Sequence, residues 1–140
     1  MKIPETIRLE VVRRASNRCE YCGLSQVEQE AHFHVNHVVP VQEGGSEHVD
    51  NLALACVSCS FRKGARRVAV DPLTGKTVPL FHPRQQVWGE HFEWKAIRVA
   101  GRSATGRATM QLLKMNRVLA QTMREEEQLR SRHPPPLRKR

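Results

Sequence analysis

The first apolar pattern along the chain has the period of an α-helix. Its apolar residues recur every four positions: Ile7, Val11 and Ala15. Pro4 suits the first position of a helix, and Glu5 lies where the helix dipole favours an anion. We therefore predict a helix over residues 4–15, which Ser16-Asn17 ends.

A change of period predicts two strands and a short helix in the next part of the chain. After a polar loop over residues 24–31, residues 33–39 alternate and are rich in β-branched side chains, and Pro40 ends this strand. Leu52–Ala55 is short and apolar, as expected of a returning strand, and a glycine turn lies between the two. Residues 56–64 should then form a helix that a glycine ends.

Turn signals organise the chain beyond this helix. The run Asp71-Pro72-Leu73-Thr74-Gly75 is typical of a tight turn, with Pro at its second position and Gly at its end. Residues 77–81 and 91–99 predict strands on either side of a loop at Pro83. Because the chain has few large side chains, three aromatic residues are predicted to belong to the core: Trp88, Phe92 and Trp94.

A long helical period and a polar tail complete the outline. Residues 103–129 keep apolar side chains at helical spacing, which predicts one long amphipathic helix or two broken ones. Residues 130–140 are basic and contain three consecutive prolines, so we expect a disordered tail. We therefore divide the chain into one domain, residues 1–129, with a core over 15–67 and an extension over 68–129, followed by the tail.

Composition indicates the class of partner and the cellular compartment of the protein. The formal net charge is +9, which favours an anionic partner, and nucleic acid is the leading class. No apolar run approaches the roughly 18 residues that cross a membrane. The start Met1-Lys2-Ile3-Pro4-Glu5 lacks the apolar core of a signal peptide. We therefore expect a cytoplasmic protein.

The cysteines predict a metal site. They form two C-x2-C pairs, which in a reducing compartment favour a metal over disulfides: Cys19, Cys22, Cys56 and Cys59. Four thiolates suit a tetrahedral zinc ion, and a closed shell of four leaves no open position for chemistry. We predict a structural zinc that holds the strand pair at both ends, with an iron–sulfur site or redox thiols as alternatives. Aromatic residues are only 5% of the chain, so a metal would compensate for a thin core.

These motifs together resemble the HNH nuclease family. The resemblance is carried by His37-x2-Pro40, Gly44-Gly45, Asp50-Asn51-Leu52 and the two cysteine pairs. It implies an α+β protein built on a zinc-stapled ββα-metal unit, a hairpin followed by a helix, with the N-terminal helix, a β extension and C-terminal helices around it. It also implies hydrolysis of phosphodiester bonds with one divalent cation. Parts of the extension, among them Leu80-Phe81-His82-Pro83-Arg84, resemble a bacterial subgroup of short HNH proteins. With these parts included, the resemblance covers roughly residues 15–120.

The resemblance implies roles for two residues of the hairpin. A nuclease of this type needs a base that deprotonates water, and His37 fits because histidine titrates near physiological pH and this one ends a strand beside a glycine turn. Asn51 is expected to hydrogen-bond the backbone across the loop, since an amide both donates and accepts. The alternatives are a packing histidine and an ordinary turn asparagine. His82 and His91 are expected to be structural.

The chain departs from the family at the catalytic cation. Asn36 stands where the related proteins carry Asp or Glu, and Ser60 stands where they carry Asn or His. Without a carboxylate, binding of a hard cation such as Mg²⁺ should weaken. His34 lies on the same strand face as Asn36 and offers a nitrogen ligand, which would favour Zn²⁺, Mn²⁺ or Ni²⁺. The alternative is an impaired zinc module that binds nucleic acid without cutting it. Glu47 and Asp50 are nearby carboxylates that their spacing does not aim at the site.

A basic cluster is the predicted contact with double-stranded DNA. It lies at the end of the short helix and just beyond: Arg62, Lys63, Arg66 and Arg67. Such side chains bind phosphates without reading sequence. A solvated charged face is the alternative. Four further arginines would extend the surface with less support: Arg84, Arg98, Arg102 and Arg107.

Overall fold

The computed structural model describes residues 3–27 and 32–136 of the chain. Its helices are α1 (Glu5–Arg14), α2 (Val57–Lys63), α3 (Trp88–His91), α4 (Ala104–Leu112) and α5 (Val118–Leu129). Its strands are β1 (His34–His37), β2 (Leu52–Ala55), β3 (Val68–Val70), β4 (Thr77–Pro79), β5 (Phe92–Lys95) and β6 (Arg98–Gly101). The strands form three antiparallel pairs, β1–β2, β3–β4 and β5–β6, so the predicted α+β class is confirmed.

The hairpin β1–β2 packs against both α1 and α2. His34 pairs with Ala55 at one end, and His37 pairs with Leu52 at the other. All four residues of β2 are buried. Its second edge is also satisfied, because the Glu20 amide donates to the Leu54 carbonyl at 2.8 Å and the Glu20 carboxylate accepts from the Leu54 amide at 2.8 Å. A strand buried on both faces and bonded at both edges is a rigid support for what β1 carries.

The two helices flanking the hairpin match their predictions closely. α1 packs on β2 through the buried Val11. α2 begins after Cys56, whose sulfur accepts a hydrogen bond from the Cys59 amide, and it ends at Gly64, which has a φ of 51°. β1 is shorter than the predicted 33–39, because Val38 and Val39 leave the strand to bond with Asn51. Part of the predicted loop over 24–31 lies outside the described residues.

The extension departs further from the sequence prediction. β3 was not predicted, and it pairs with β4 across the predicted turn, which the Gly75 amide closes onto the Asp71 carbonyl at 2.8 Å. The prediction of one strand over 91–99 is wrong: α3 ends within it, and β5 and β6 form a hairpin. That hairpin turns at Ala96, which adopts a φ of 55° without the glycine or proline that usually marks such a turn.

An aromatic cluster joins the extension to the cysteine turn. The rings of Phe81 and Phe92 meet edge to face at 5.2 Å, and those of Trp88 and Trp94 stack at 5.1 Å. The Trp88 indole also donates to the Tyr21 carbonyl at 2.8 Å. The aromatic residues of the extension therefore belong to the core, as predicted, and they hold the backbone between the first two cysteines.

The C-terminal segment forms two helices, α4 and α5. This is the second of the two predicted alternatives. The break lies between Leu112 and Val118 and contains Lys114, which has a φ of 47°. The predicted disorder of the tail stays a prediction. Within residues 130–136, Arg132 pairs with Glu127 at 2.8 Å, and the His133 ring meets the Trp94 ring at 4.7 Å. Residues 137–140 lie outside the described residues. Among residues 3–27 and 32–136, no helix combines the length and apolar character of a membrane span.

Candidate active site and metal centre

The four cysteines converge in the core. All are buried, and their sulfur atoms lie within 4.8 Å of one another. The sulfurs of Cys22 and Cys56, one from each pair, are 3.7 Å apart. Around a tetrahedral zinc ion with Zn–S bonds of about 2.3 Å, the sulfurs are separated by about 3.8 Å. The donor set and its spacing therefore fit a structural metal, and zinc is the ion that such a set prefers.

Hydrogen-bond donors surround the sulfurs. The Cys22 amide points at the Cys19 sulfur and the Cys59 amide at the Cys56 sulfur, each at 3.4 Å. The Arg117 guanidinium lies 3.6 Å from the Cys56 sulfur. Burial raises the pKa of the Cys19 thiol, whereas the hydrogen bond from Cys19 lowers the pKa of Cys22. These donors offset the negative charge that four thiolates carry when they bind a metal.

Asn51 clamps the loop that follows β1. Its side-chain oxygen accepts from the Val39 amide at 2.9 Å, and its side-chain nitrogen donates to the Val39 carbonyl at 2.9 Å and to the Ser46 carbonyl at 2.8 Å. A side chain at Gly45 would overlap the Val39 carbonyl, which explains a glycine there. The clamp fixes the chain just after His37.

Lys63 supports the same loop. The structure contradicts the contact with nucleic acid that the sequence predicts for this residue. The side chain is buried at 1% exposure. Its ammonium donates to the Val38 carbonyl at 3.0 Å and lies 3.4 Å from the His37 carbonyl. Burial lowers the pKa of Lys63 to about 8. A buried cation bonded to carbonyls is a structural brace and has no route to a phosphate.

His37 forms a pair with Glu47. Its Nε2 lies 2.8 Å from a Glu47 carboxylate oxygen, and the two side chains are 24% and 38% exposed. Because an ionised carboxylate only accepts, Nε2 must donate, which leaves the lone pair of a neutral ring on Nδ1. The sequence alone does not pair Glu47 with His37, because the two residues are ten positions apart across a glycine turn.

The proposed cation ligands form a second group. The His34 Nδ1 lies 3.0 Å from the Ser60 hydroxyl, so α2 and β1 bring these residues together. Asn36 shares the strand face of His34, and its side-chain oxygen is buried with no hydrogen-bond partner among the described residues. A buried acceptor without a donor is rare and is satisfied by a bound cation or by water. The residues of the site are thus joined in two pairs, His34–Ser60 and His37–Glu47, with Asn36 between His34 and His37 in β1.

The basic cluster is reduced to three arginines at the end of α2. Arg66 and Arg67 are exposed, and Arg67 lies 3.7 Å from Glu43. Arg62 is half-buried, with its Nε 3.2 Å from the Ser58 hydroxyl. Arg62 thus lies two residues after Ser60 in α2, and the two exposed arginines follow the helix.

The arginines of the extension divide into two kinds. Arg107 is paired with the buried Asp71 at 2.9 Å and holds the pKa of that carboxyl well below its usual range. Arg84 pairs with the buried Glu20. Arg107 and Arg84 therefore have structural roles. Arg98 and Arg102 are exposed.

Two histidines of the extension have local structural partners. The His91 ring lies 2.6 Å from the Ser103 hydroxyl. The His82 ring accepts from the Arg84 and Gln85 amides, and burial lowers its pKa. Both match the structural role predicted for them.

Comparison with known proteins identifies the central segment. Residues 19–66 match the family described as HNH endonuclease. The match starts at the first cysteine, spans both strands of the central hairpin, and ends just beyond α2. No curated protein and no solved structure matched the chain.

Proposed function

We propose, from the match of residues 19–66 to the HNH endonuclease family, that the protein is a metal-dependent endonuclease that hydrolyses phosphodiester bonds of double-stranded DNA. The observation that carries the proposal is the double support of the loop after His37. Asn51 holds this loop through three hydrogen bonds, and Lys63 holds it through the carbonyls at the end of β1. Such fixed presentation of an imidazole is what a positioned base requires.

His37 acts as the general base in this proposal. Its Nδ1 accepts a proton from water while Glu47 keeps Nε2 protonated and orients the ring. The resulting hydroxide attacks phosphorus, the bond between phosphorus and the leaving sugar oxygen breaks, and that oxygen takes a proton from solvent. Glu47 also stabilises the imidazolium that forms when the ring accepts the proton.

The residues that would hold the catalytic cation are His34, Asn36 and Ser60. The unsatisfied oxygen of Asn36 is the feature that supports this assignment. A divalent cation, when bound, would neutralise charge on the scissile phosphate. One nitrogen and two neutral oxygens favour Mn²⁺, Ni²⁺ or Zn²⁺ over Mg²⁺, which prefers carboxylates.

Arg62, Arg66 and Arg67 are proposed to hold the DNA backbone. They lie beyond Ser60 on α2 and the segment that follows, and two of them are exposed. Contacts of this kind fix the position of the duplex without reading its sequence.

A second function is favoured by one observation. The candidate cation ligands carry no formal charge when His34 is neutral, and two of them are already bonded to each other. A site with this donor set binds cations weakly, so the alternative is a DNA-binding module with a zinc-stapled hairpin and impaired cleavage.

A plasmid-nicking assay separates the two functions. The wild-type protein is tested with Mg²⁺, Mn²⁺, Ni²⁺ and Zn²⁺, beside the double variant Asn36→Asp, Ser60→Asn, which restores charged and amide ligands. The proposal expects wild-type nicking with Mn²⁺ or Ni²⁺ above that with Mg²⁺. If only the double variant nicks, the impaired module is the right account. If neither nicks with any cation, the proposed site is wrong.

A further inference from the structure

Phe61 is exposed where folding gives no reason for it. Among the described residues, it is the most exposed large apolar side chain, at 84%. It lies in the middle of α2, whose neighbouring positions Cys59 and Lys63 are fully buried. An aromatic ring left in water contributes nothing to the core. A single exposed apolar side chain is common on protein surfaces, so the groups around Phe61 decide whether it belongs to a contact surface.

The surroundings of Phe61 combine apolar and basic groups. Val57 lies one helical turn earlier on the same face and is 41% exposed. Arg62 follows directly, and Arg66 and Arg67 lie just beyond the helix. A partner for this surface must therefore offer negative charge and an apolar face within a few ångströms of each other. DNA offers both, since its phosphates flank the stacked bases.

The position of Phe61 along α2 relates it to the candidate cleavage site. It follows Ser60, whose hydroxyl contacts His34, so Phe61 lies about 100° around the helix from Ser60. Phe61 is therefore the helix position next to Ser60, and its ring is exposed to a duplex whose phosphate is held near Ser60. The arginines would at the same time hold the flanking phosphates.

We propose that Phe61 is a wedge that inserts into the base stack of duplex DNA beside the phosphate to be cut. This inference rests on the proposed function and names a specificity-determining residue for it. Apolar wedges partly unstack a base step and bend the duplex. Pyrimidine–purine steps such as TA and CA unstack most easily, so the wedge directs binding and cutting to such steps and to mismatches.

The binding test uses the full chain carrying His37→Ala, so that DNA is bound without being cut. The probe is a duplex with 2-aminopurine at a TA step, whose fluorescence rises when the base is unstacked. The variant Phe61→Ala, added to this background, should abolish the rise and weaken binding by about tenfold. Leu129→Ala is the matched control, because Leu129 is equally exposed, at 82%, but lies at the end of α5.

Several outcomes would overturn the wedge. They are equal fluorescence changes for Phe61→Ala and Leu129→Ala, no binding of the duplex at all, or an equal loss of affinity for single-stranded and duplex DNA without any signal. Because Phe61 is exposed, circular dichroism should show the same melting for both variants. A lower melting temperature of Phe61→Ala alone would assign the residue a structural role and overturn the proposal as well.

A cleavage test separates this inference from the proposed function. With His37 intact, Phe61→Ala should keep its maximal nicking rate, raise KM about tenfold and lose its preference for TA steps and mismatches. If nicking is unaffected by His37→Ala, the proposed function fails whatever Phe61 does. If nicking depends on His37 but step preference is unchanged by Phe61→Ala, the function stands and the wedge is overturned.

Discussion

Asn51 is the residue on which the geometry of the site depends most directly. Its amide satisfies three backbone groups in the loop between β1 and β2, two of them on Val39. Buried backbone groups that lose their partners are costly, so this one side chain connects stability with the placement of His37.

Replacing Asn51 should damage both properties. We expect Asn51→Ala to lower the free energy of unfolding by about 2–3 kcal/mol and to reduce nicking at least about 100-fold. Denaturant unfolding and initial rates of plasmid nicking measure the two effects.

The extension provides a matched control for this variant. Asn116 makes the same paired contacts, with the Val99 amide at 2.7 Å and the Val99 carbonyl at 2.8 Å. Asn116→Ala should therefore destabilise the protein to a similar degree while the folded enzyme keeps its nicking rate. Equal losses of nicking in the two variants under conditions where both are folded would contradict a special role for Asn51.

Glu47 should affect the reaction through His37 alone. Glu47→Gln removes the negative charge beside the ring and the fixed acceptor for Nε2, so we expect kcat to fall at least about tenfold while KM is unchanged. Steady-state nicking kinetics measure kcat and KM separately. A rise in KM at constant kcat would mean that Glu47 acts on DNA binding instead.

Lys63 should give stability a distinctive pH dependence. Its pKa is about 8 in the folded state against 10.5 for an ordinary lysine, so between these values the unfolded chain binds more protons. The free energy of unfolding should therefore rise with pH in this window, by about 3 kcal/mol relative to Lys63→Met. Chemical denaturation of both proteins at pH 7.5, 9 and 10.5 provides the measurement. Parallel profiles would show that the ammonium is not buried in solution.

At the scale of elements, the thiol cluster ties the cysteine turn before β1 to the start of α2. Cys19 and Cys22 lie before the hairpin, and Cys56 and Cys59 lie after it, so one metal would close both ends. Metal binding of this kind contributes about 10–16 kcal/mol in small zinc peptides, more than the whole stability of most domains.

Removing the metal should therefore unfold the hairpin. We expect one zinc per chain by elemental analysis, and we expect a chelator under reducing conditions to lower the melting temperature and abolish nicking even when Mn²⁺ is then supplied. Cys22→Ser should reproduce this loss. A metal-free protein with unchanged melting would contradict the structural role of the cluster.

The elements that could be predicted from sequence are those with local signals. The hairpin and α2 have apolar runs bounded by glycine, proline and paired cysteines, and they were placed within a few residues. The turn at Ala96 has no such signal, so the sequence predicts one strand where β5 and β6 form a hairpin. Lys63 resembled its basic neighbours, and only the packing of α2 against β1 shows that it is buried. The pairing of Glu47 with His37 depends on the three-dimensional path of the glycine turn, so it could not be predicted from the sequence.

At the scale of the whole molecule, the surrounding helices support the segment around the β1–β2 hairpin and the cysteine turn before it through arginine side chains. Arg14 from α1 donates to the Val49 and Leu52 carbonyls, at 3.0 and 2.7 Å. Arg124 from α5 is buried and donates to the Cys22 carbonyl at 3.1 Å. Several cations of this basic chain thus hydrogen-bond to its own backbone, and the formal charge of +9 overstates the positive surface available to an anionic partner.

The most direct test of the central claim is the single-turnover nicking rate of supercoiled plasmid with Mn²⁺, compared between wild type, His37→Ala and His32→Ala. His32 is exposed outside the hairpin and serves as the control histidine. If His37 is the base, its variant should lose at least about 100-fold in rate, while the control keeps the wild-type rate. Equal rates for all three proteins would contradict the assignment of His37 and the account built on it.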